Sequence, residues 1–161
     1  LPISTGIAQA SKIKGEDTYA YVLMSDGETN EGTTWEAMHY AVNNQLDNLI
    51  ILVDRNHLQG FGSSSEVLGN TSDVATYQAM GLEVAHINGH DVVQIIDTIQ
   101  QLKANKNGKP KVIIAETVKG KGISYMENKL EWHYLPMSEE QYQTAVADIT
   151  ATYLTETAIP L

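Results

Sequence analysis

Blocks of apolar residues recur along the chain with two different periods, and the period assigns each block to a helix or a strand. Ile3, Gly6, Ile7, Ala10 and Ile13 fall at helical spacing and Gly15 follows as a stop signal, so the chain is expected to open on the tail of a helix. Residues 18–24 read as a strand that leads into an acidic loop at Asp26. Thr33 or Thr34 is expected to cap a helix that runs to about residue 45, with Trp35, Met38, Val42 and Tyr40 supplying its apolar contacts. Residues 48–54 are almost continuously apolar and rich in β-branched side chains, the pattern of a strand covered on both faces. A polar, glycine-bearing loop then extends through Asn70.

Asp73 is placed to cap a short helix that ends at Gly81, residues 82–87 form the next strand, and Asn88-Gly89 makes a turn. From Asp91 onward Val92, Ile95, Ile96, Ile99 and Leu102 give the cleanest helical stripe in the chain. Residues 111–117 are a further strand, and residues 118–136 a long loop carrying Lys119, Lys121, Trp132 and His133. Loops of that length without structure of their own are usually functional or mobile. Ser138-Glu139-Glu140-Gln141 has the form of a capping box for a last helix to about residue 153. The regular alternation of helices and strands predicts an α/β fold, a doubly wound parallel sheet with helices on both faces, in a single domain spanning 1–161.

Composition narrows the classes of function. Ten basic residues against twenty acidic ones give a net charge of −10, which excludes a partner held through phosphate contacts on a basic face, so no nucleic acid is expected. The absence of cysteine rules out disulfides and thiolate metal sites and fits the reducing cytoplasm, the expected location. No apolar run approaches the ~20 residues that cross a bilayer, so no membrane association is expected, and no leader pattern opens the chain. Leu1-Pro2 stands where a methionine would start a complete chain, and the sequence reads as a piece of something longer.

Candidate chemistry concentrates in two loops, each just past an apolar strand: residues 25–32, with Asp26, and residues 53–62, with Asn56. If their strands are parallel neighbours, both residues project from one carboxyl edge, where open α/β sheets bind ligands. An acid, an amide and exposed carbonyls suit a hard cation such as Mg²⁺. The plainer reading is that the acid caps a helix and the amide closes a turn. Asp26, Glu28 and Asn30 have the spacing that begins an EF-hand loop, but Glu31 and Ala37 stand where its glycine and bidentate glutamate belong. His86 and His90 have a zinc-like spacing that Asn88-Gly89 disfavours as helix, and His39 and His57 read as isolated histidines.

Asp26-Gly27-Glu28-x-x-Glu31-Gly32-x-x-Trp35-Glu36-Ala37, then Leu46-Asp47-Asn48-Leu49, then Asp54-x-Asn56-x-x-Gln59-x-x-Gly62 resembles the thiamine-diphosphate-binding region of transketolases. Gly89-His90-Asp91, the run from Thr117 to Asn128, and Trp132-His133 match later landmarks of the same family. The resemblance is nearest to the form divided into amino-terminal and carboxy-terminal subunits. It implies the thiamine-diphosphate-binding fold and Mg²⁺ held by Asp26, Asn56 and the Leu58 carbonyl. Asp26, Gly27, Glu28, Asn56, Leu58, Lys119 and His133 would be cofactor-binding, with His133 also catalytic. Glu31 and Glu36 match acidic positions at the family's subunit interface, with helix amino-terminal acids as their plainer reading.

The reaction implied is transfer of a two-carbon ketol unit from a ketose phosphate to an aldose phosphate, chemistry of the pentose phosphate pathway. The activating glutamate would come from a carboxy-terminal partner subunit, in a hetero-oligomer with two of each subunit or a homodimer of a longer chain. The amino-terminal part of the family domain is expected to be missing. Ser25 and Tyr134 stand where the family has glycine, which bears on the approach to the cofactor and on the set of His133. The α subunit of a 2-oxoacid dehydrogenase and a non-catalytic assembly or regulatory homologue are the alternatives.

Overall fold

The computed structural model describes residues 1–154. The chain runs through α1 (Pro2–Lys14), β1 (Ala20–Ser25), a 3-10 turn (Gly27–Asn30), α2 (Gly32–Asn43), β2 (Leu49–Arg55), β3 (Leu58–Gln59), β4 (Gly62–Ser63) and α3 (Ser64–Val67). It continues through α4 (Val74–Met80), β5 (Glu83–Asn88), α5 (Val92–Ala104), β6 (Lys111–Glu116), a second 3-10 turn (Leu130–His133) and α6 (Glu139–Ile149), which ends in a π-helical turn (Thr150–Leu154). A four-stranded sheet in the order β1-β2-β6-β5 is parallel throughout. Its register aligns Ser25 with Asp54 and Arg55 with Glu116, so these strands end on a common carboxyl edge.

Alternation along each strand divides the core into two layers. Leu49, Ile51 and Val53 of β2, with Val112 and Ile114 of β6, face α1, α2 and α4. Ile50 and Ile113 face Leu102, Ile95 and Ile99 of α5. The chain advances from β1 to β2 and on to β5 over the first face, then steps back to β6 under α5, as right-handed crossovers require. The winding direction therefore reverses between β2 and β6, and ligands of such sheets bind outside the strand ends near a reversal.

Several local expectations are corrected. Glu31, not Thr33 or Thr34, is the N-cap of α2, because the chain turns helical straight after the 3-10 turn and the Thr34 N–H already bonds to the Glu31 carbonyl at 3.0 Å. Trp35, Met38 and Val42 reach the core, but Tyr40 is half exposed. In α1 the apolar stripe of Ile3, Ile7 and Ile13 points outward, and small residues Thr5, Ala8 and Ser11 form the buried face, which lets the helix lie close to α2 and β1. Asp73 stands at the N-cap of α4 without a side-chain cap bond, and the loop after β2 contains the β3–β4 hairpin and α3. The Ser138–Gln141 capping box forms as read from the sequence.

Candidate functional site

The buried acid at the end of β1 is the centre of the site. Asp26 is only 2% exposed, and its Oδ2 accepts the backbone N–H groups of Asn56 at 2.9 Å and His57 at 2.8 Å. The carboxylate thus ties the end of β1 to the loop after β2, and it does not cap the 3-10 turn that follows it. Burial raises the Asp26 pKa, and the two backbone bonds and the nearby His57 only partly offset this. Asn56 Oδ1 accepts the Leu58 N–H at 3.1 Å, a tight side-chain turn that orients the amide and the Leu58 backbone together. His57 between them adopts a left-handed φ of 64°, unusual for a non-glycine residue.

The long loop after β6 closes the site from the other side, and its own side chains order it. The Asn128 N–H bonds to the Lys119 carbonyl at 3.0 Å, Trp132 Nε1 donates to the Tyr125 carbonyl at 3.0 Å, and the two rings meet edge to face at 5.1 Å. Gly120 has φ 73°, and a Cβ there would lie 2.7 Å from the Met126 backbone, so only glycine fits the turn. This brings His133 beside Gly60, where a Cβ would lie 3.8 Å from the ring. Tyr134 has φ −149°, a backbone any residue adopts, so the side chain in place of a glycine leaves the turn unstrained. Ser25 likewise sits in regular strand pairing.

A cleft of about 530 Å³ results, and Gly27, Glu28, Asn56, Leu58, Lys119 and His133 all line it, with Asp26 buried beside Gly27. Glu31 lines it as well, whereas Glu36 faces a separate groove between α1 and α2. The acids of the EF-hand-like spacing do not converge: Glu28 accepts from the Ser25 N–H and Asn30 from the Thr71 hydroxyl. His86 and His90 are likewise separated, His90 accepting from the Val118 N–H and His86 meeting Glu116. Among the described residues no three His, Asp or Glu side chains form a metal-type cluster.

Two features escaped the sequence reading. His57 is not isolated: its Nε2 lies 2.9 Å from Glu116 Oε2, while Glu116 Oε1 meets Arg55 and His86. Burial would raise the Glu116 carboxyl, but hydrogen bonds from Arg55, His86 and His57 and the Arg55 charge hold it at about 2. Gln59, present in the sequence pattern without a role, is buried in the cleft wall with Nε2 unpaired, as is Asn30 Nδ2. Residue type alone carries no signal for either, since both depend on which strand ends the fold makes neighbours.

The arrangement suits a cation-bridged anion. Oδ2 of Asp26 is taken by backbone donors, which leaves Oδ1, the Asn56 amide oxygen and the Leu58 carbonyl as hard oxygen donors. Gly27 presents an open backbone, and the unpaired Gln59 donor, Lys119 and His133 face the same space.

Residues 8–152 match the family model described as transketolase, thiamine diphosphate binding domain. The chain is 38% identical over 149 residues to one of the subunits of the apulose-4-phosphate transketolase of Actinobacillus succinogenes, covering 92% of this chain and 53% of that protein. It is 39% identical over 150 residues to the subunit of the same name from Phocaeicola vulgatus, covering 93% of this chain and 53% of that one. It thus spans about half the length of these curated relatives. The crystal structure of transketolase from Campylobacter jejuni superposes with a TM-score of 0.82 at 32% identity, over 89% of this chain and 23% of that one.

Proposed function

The chain belongs to the transketolase thiamine-diphosphate-binding domain family, and on that premise we propose that it is the diphosphate-binding part of a Mg²⁺-dependent ketol transferase that works with a partner subunit. The observation that carries the reading is the convergence of Asp26, Asn56, the Leu58 carbonyl, Lys119 and His133 on one cleft, from three separate strand ends. Asp26 Oδ1, Asn56 and the Leu58 carbonyl hold the cation, which offsets the diphosphate charge beside Gly27. Thiamine diphosphate, when bound, supplies the nucleophilic carbon that takes up the ketol unit.

The protein positions and moves protons. His133, exposed on its 3-10 turn and backed by Gly60, is free to donate to an oxygen that gains charge or to relay a proton. Lys119 adds positive charge on the same wall. No residue of this chain is assigned to activate the far end of the cofactor, so that carboxylate comes from the partner, in a two-plus-two hetero-oligomer or a homodimer of a longer chain. The donor and acceptor are sugar phosphates, and the relatives named for apulose-4-phosphate make a branched sugar phosphate the first to try.

The test mixes the full-length chain with its carboxy-terminal partner, thiamine diphosphate, Mg²⁺ and a panel of ketose and aldose phosphates, and follows ketol transfer. Activity that needs both chains and Mg²⁺ is the expected result. Full activity from this chain alone sinks the reading, as does a complete assembly that gives no binding heat with thiamine diphosphate; the latter would leave a non-catalytic homologue.

A further inference from the structure

Gln59 is 7% exposed, and its side-chain amide makes no hydrogen bond among the described residues. Native proteins rarely leave such a donor enclosed and unpaired, because its lost hydration is not regained. Its position is fixed on both sides. Hairpin pairing sets Gln59 opposite Gly62, and its Oε1 lies 3.9 Å from where a Cβ on Gly27 would stand. The next residue, Gly60, carries the His133 ring. The amide therefore stands between the acid loop and His133, in the wall of the cleft.

The charges around it explain why an amide serves there. Glu28, Glu31 and Asp54 line the same cleft, with Lys119 and His133 as the basic side chains. A further acid would repel an anionic ligand, and a further cation would pair with those carboxylates. A neutral N–H donor contacts an anion without either effect.

We propose that Gln59 is a ligand-facing donor of this cleft, its Nε2–H bonding to an oxygen of the bound diphosphate between the cation site and His133. This rests on the reading of the cleft given above. Titration calorimetry on the full-length chain with its partner subunit tests it, using Mg²⁺ with thiamine diphosphate and, separately, Mg²⁺ with inorganic pyrophosphate. Gln59→Leu is expected to weaken both ligands about tenfold or more, since bonds to charged groups are the stronger class. The same substitution is expected to raise the melting temperature of the unliganded protein, because it removes an unpaired buried donor; a purely structural role predicts the reverse.

Gln59→Glu keeps the shape and is expected to weaken both ligands further, which preserves the test if the leucine variant misfolds. Unchanged pyrophosphate affinity in either variant overturns the proposal, as does a loss confined to thiamine diphosphate, which would place the contact elsewhere on the ligand. If Asp26→Asn abolishes binding while Gln59→Leu retains it, this proposal alone falls. If the wild-type assembly binds neither ligand, the reading of the cleft falls with it.

Discussion

Both edges of the sheet bury a charged side chain, and they treat it in opposite ways. At the amino edge Lys111 is fully buried at the start of β6, and its ammonium bonds to the Glu83 carboxylate, to the Asn105 carbonyl at 2.8 Å and to Asn107 Oδ1 at 2.7 Å. An ammonium has three donors, so nothing is left over. Glu83 is completed by Asn105 and Asn107 as well, and although burial pushes its carboxyl up, those hydrogen bonds hold it below its ordinary value. At the carboxyl edge burial wins, and Asp26 is raised. Its neighbour Gln59 is unpaired. A buried charge that is saturated fastens the fold, and one left incomplete beside a cleft is an invitation to a ligand.

The contrast is most sharply broken at Asp26. Asp26→Asn keeps an oxygen for the Asn56 and His57 N–H groups but removes the charge, so Mg²⁺-dependent binding of thiamine diphosphate is expected to fall about a thousandfold, ~4 kcal/mol, with little loss of folding stability. Calorimetry and thermal unfolding of the same samples check both halves. Lys111→Met should do the converse. Removing one partner of a buried pair costs on the order of 3 kcal/mol, so the denaturation midpoint drops while cofactor affinity per folded molecule is unchanged. A Lys111→Met protein that is fully stable but binds poorly would reverse the assignment of the two edges.

Glu116 tests the rule at an intermediate site, saturated yet close to the cleft. Its folded pKa of about 2 lies below the ordinary 4.5, so its contribution is present above 4.5 and is lost as the pH falls from there towards about 2. Stability should therefore drop through that acid window, and Glu116→Gln should flatten the drop at the cost of lower stability at neutral pH. Unfolding followed as a function of pH in the two proteins is the measurement. An unaltered acid limb would show that Arg55, His57 and His86 do not hold the carboxylate in solution.

The sequence made the sheet legible because the strands that build it are buried on both faces, and continuous apolar runs such as residues 49–53 have few other uses. The acid loop and its answering loop were legible for a related reason: strand ends are where such runs stop. Helix faces were less so. The Ile3, Ile7 and Ile13 stripe reads as a packing face, but small residues on the opposite side let α1 approach the core more closely. The links of His57 and His86 to Glu116 join loops and strands far apart in sequence, and pairings of that kind follow from strand order and not from spacing.

The smallest effect separates a ligand-facing orphan from an inert one. Tyr77 is completely buried in α4, stacked on Trp35 with ring centroids 6.0 Å apart, and its hydroxyl has no partner among the described residues. Burial pushes its pKa up to about 12, so the group stays neutral. Unlike Gln59 it does not line the cleft. Tyr77→Phe keeps the ring and deletes only the unpaired hydroxyl, so it is expected to leave cofactor affinity unchanged and to raise stability by up to about 1 kcal/mol. If calorimetry instead shows weakened binding, unpaired burial alone would not distinguish the two positions. The geometric condition, that the orphan must face the cleft, would then have to be abandoned for Gln59 too.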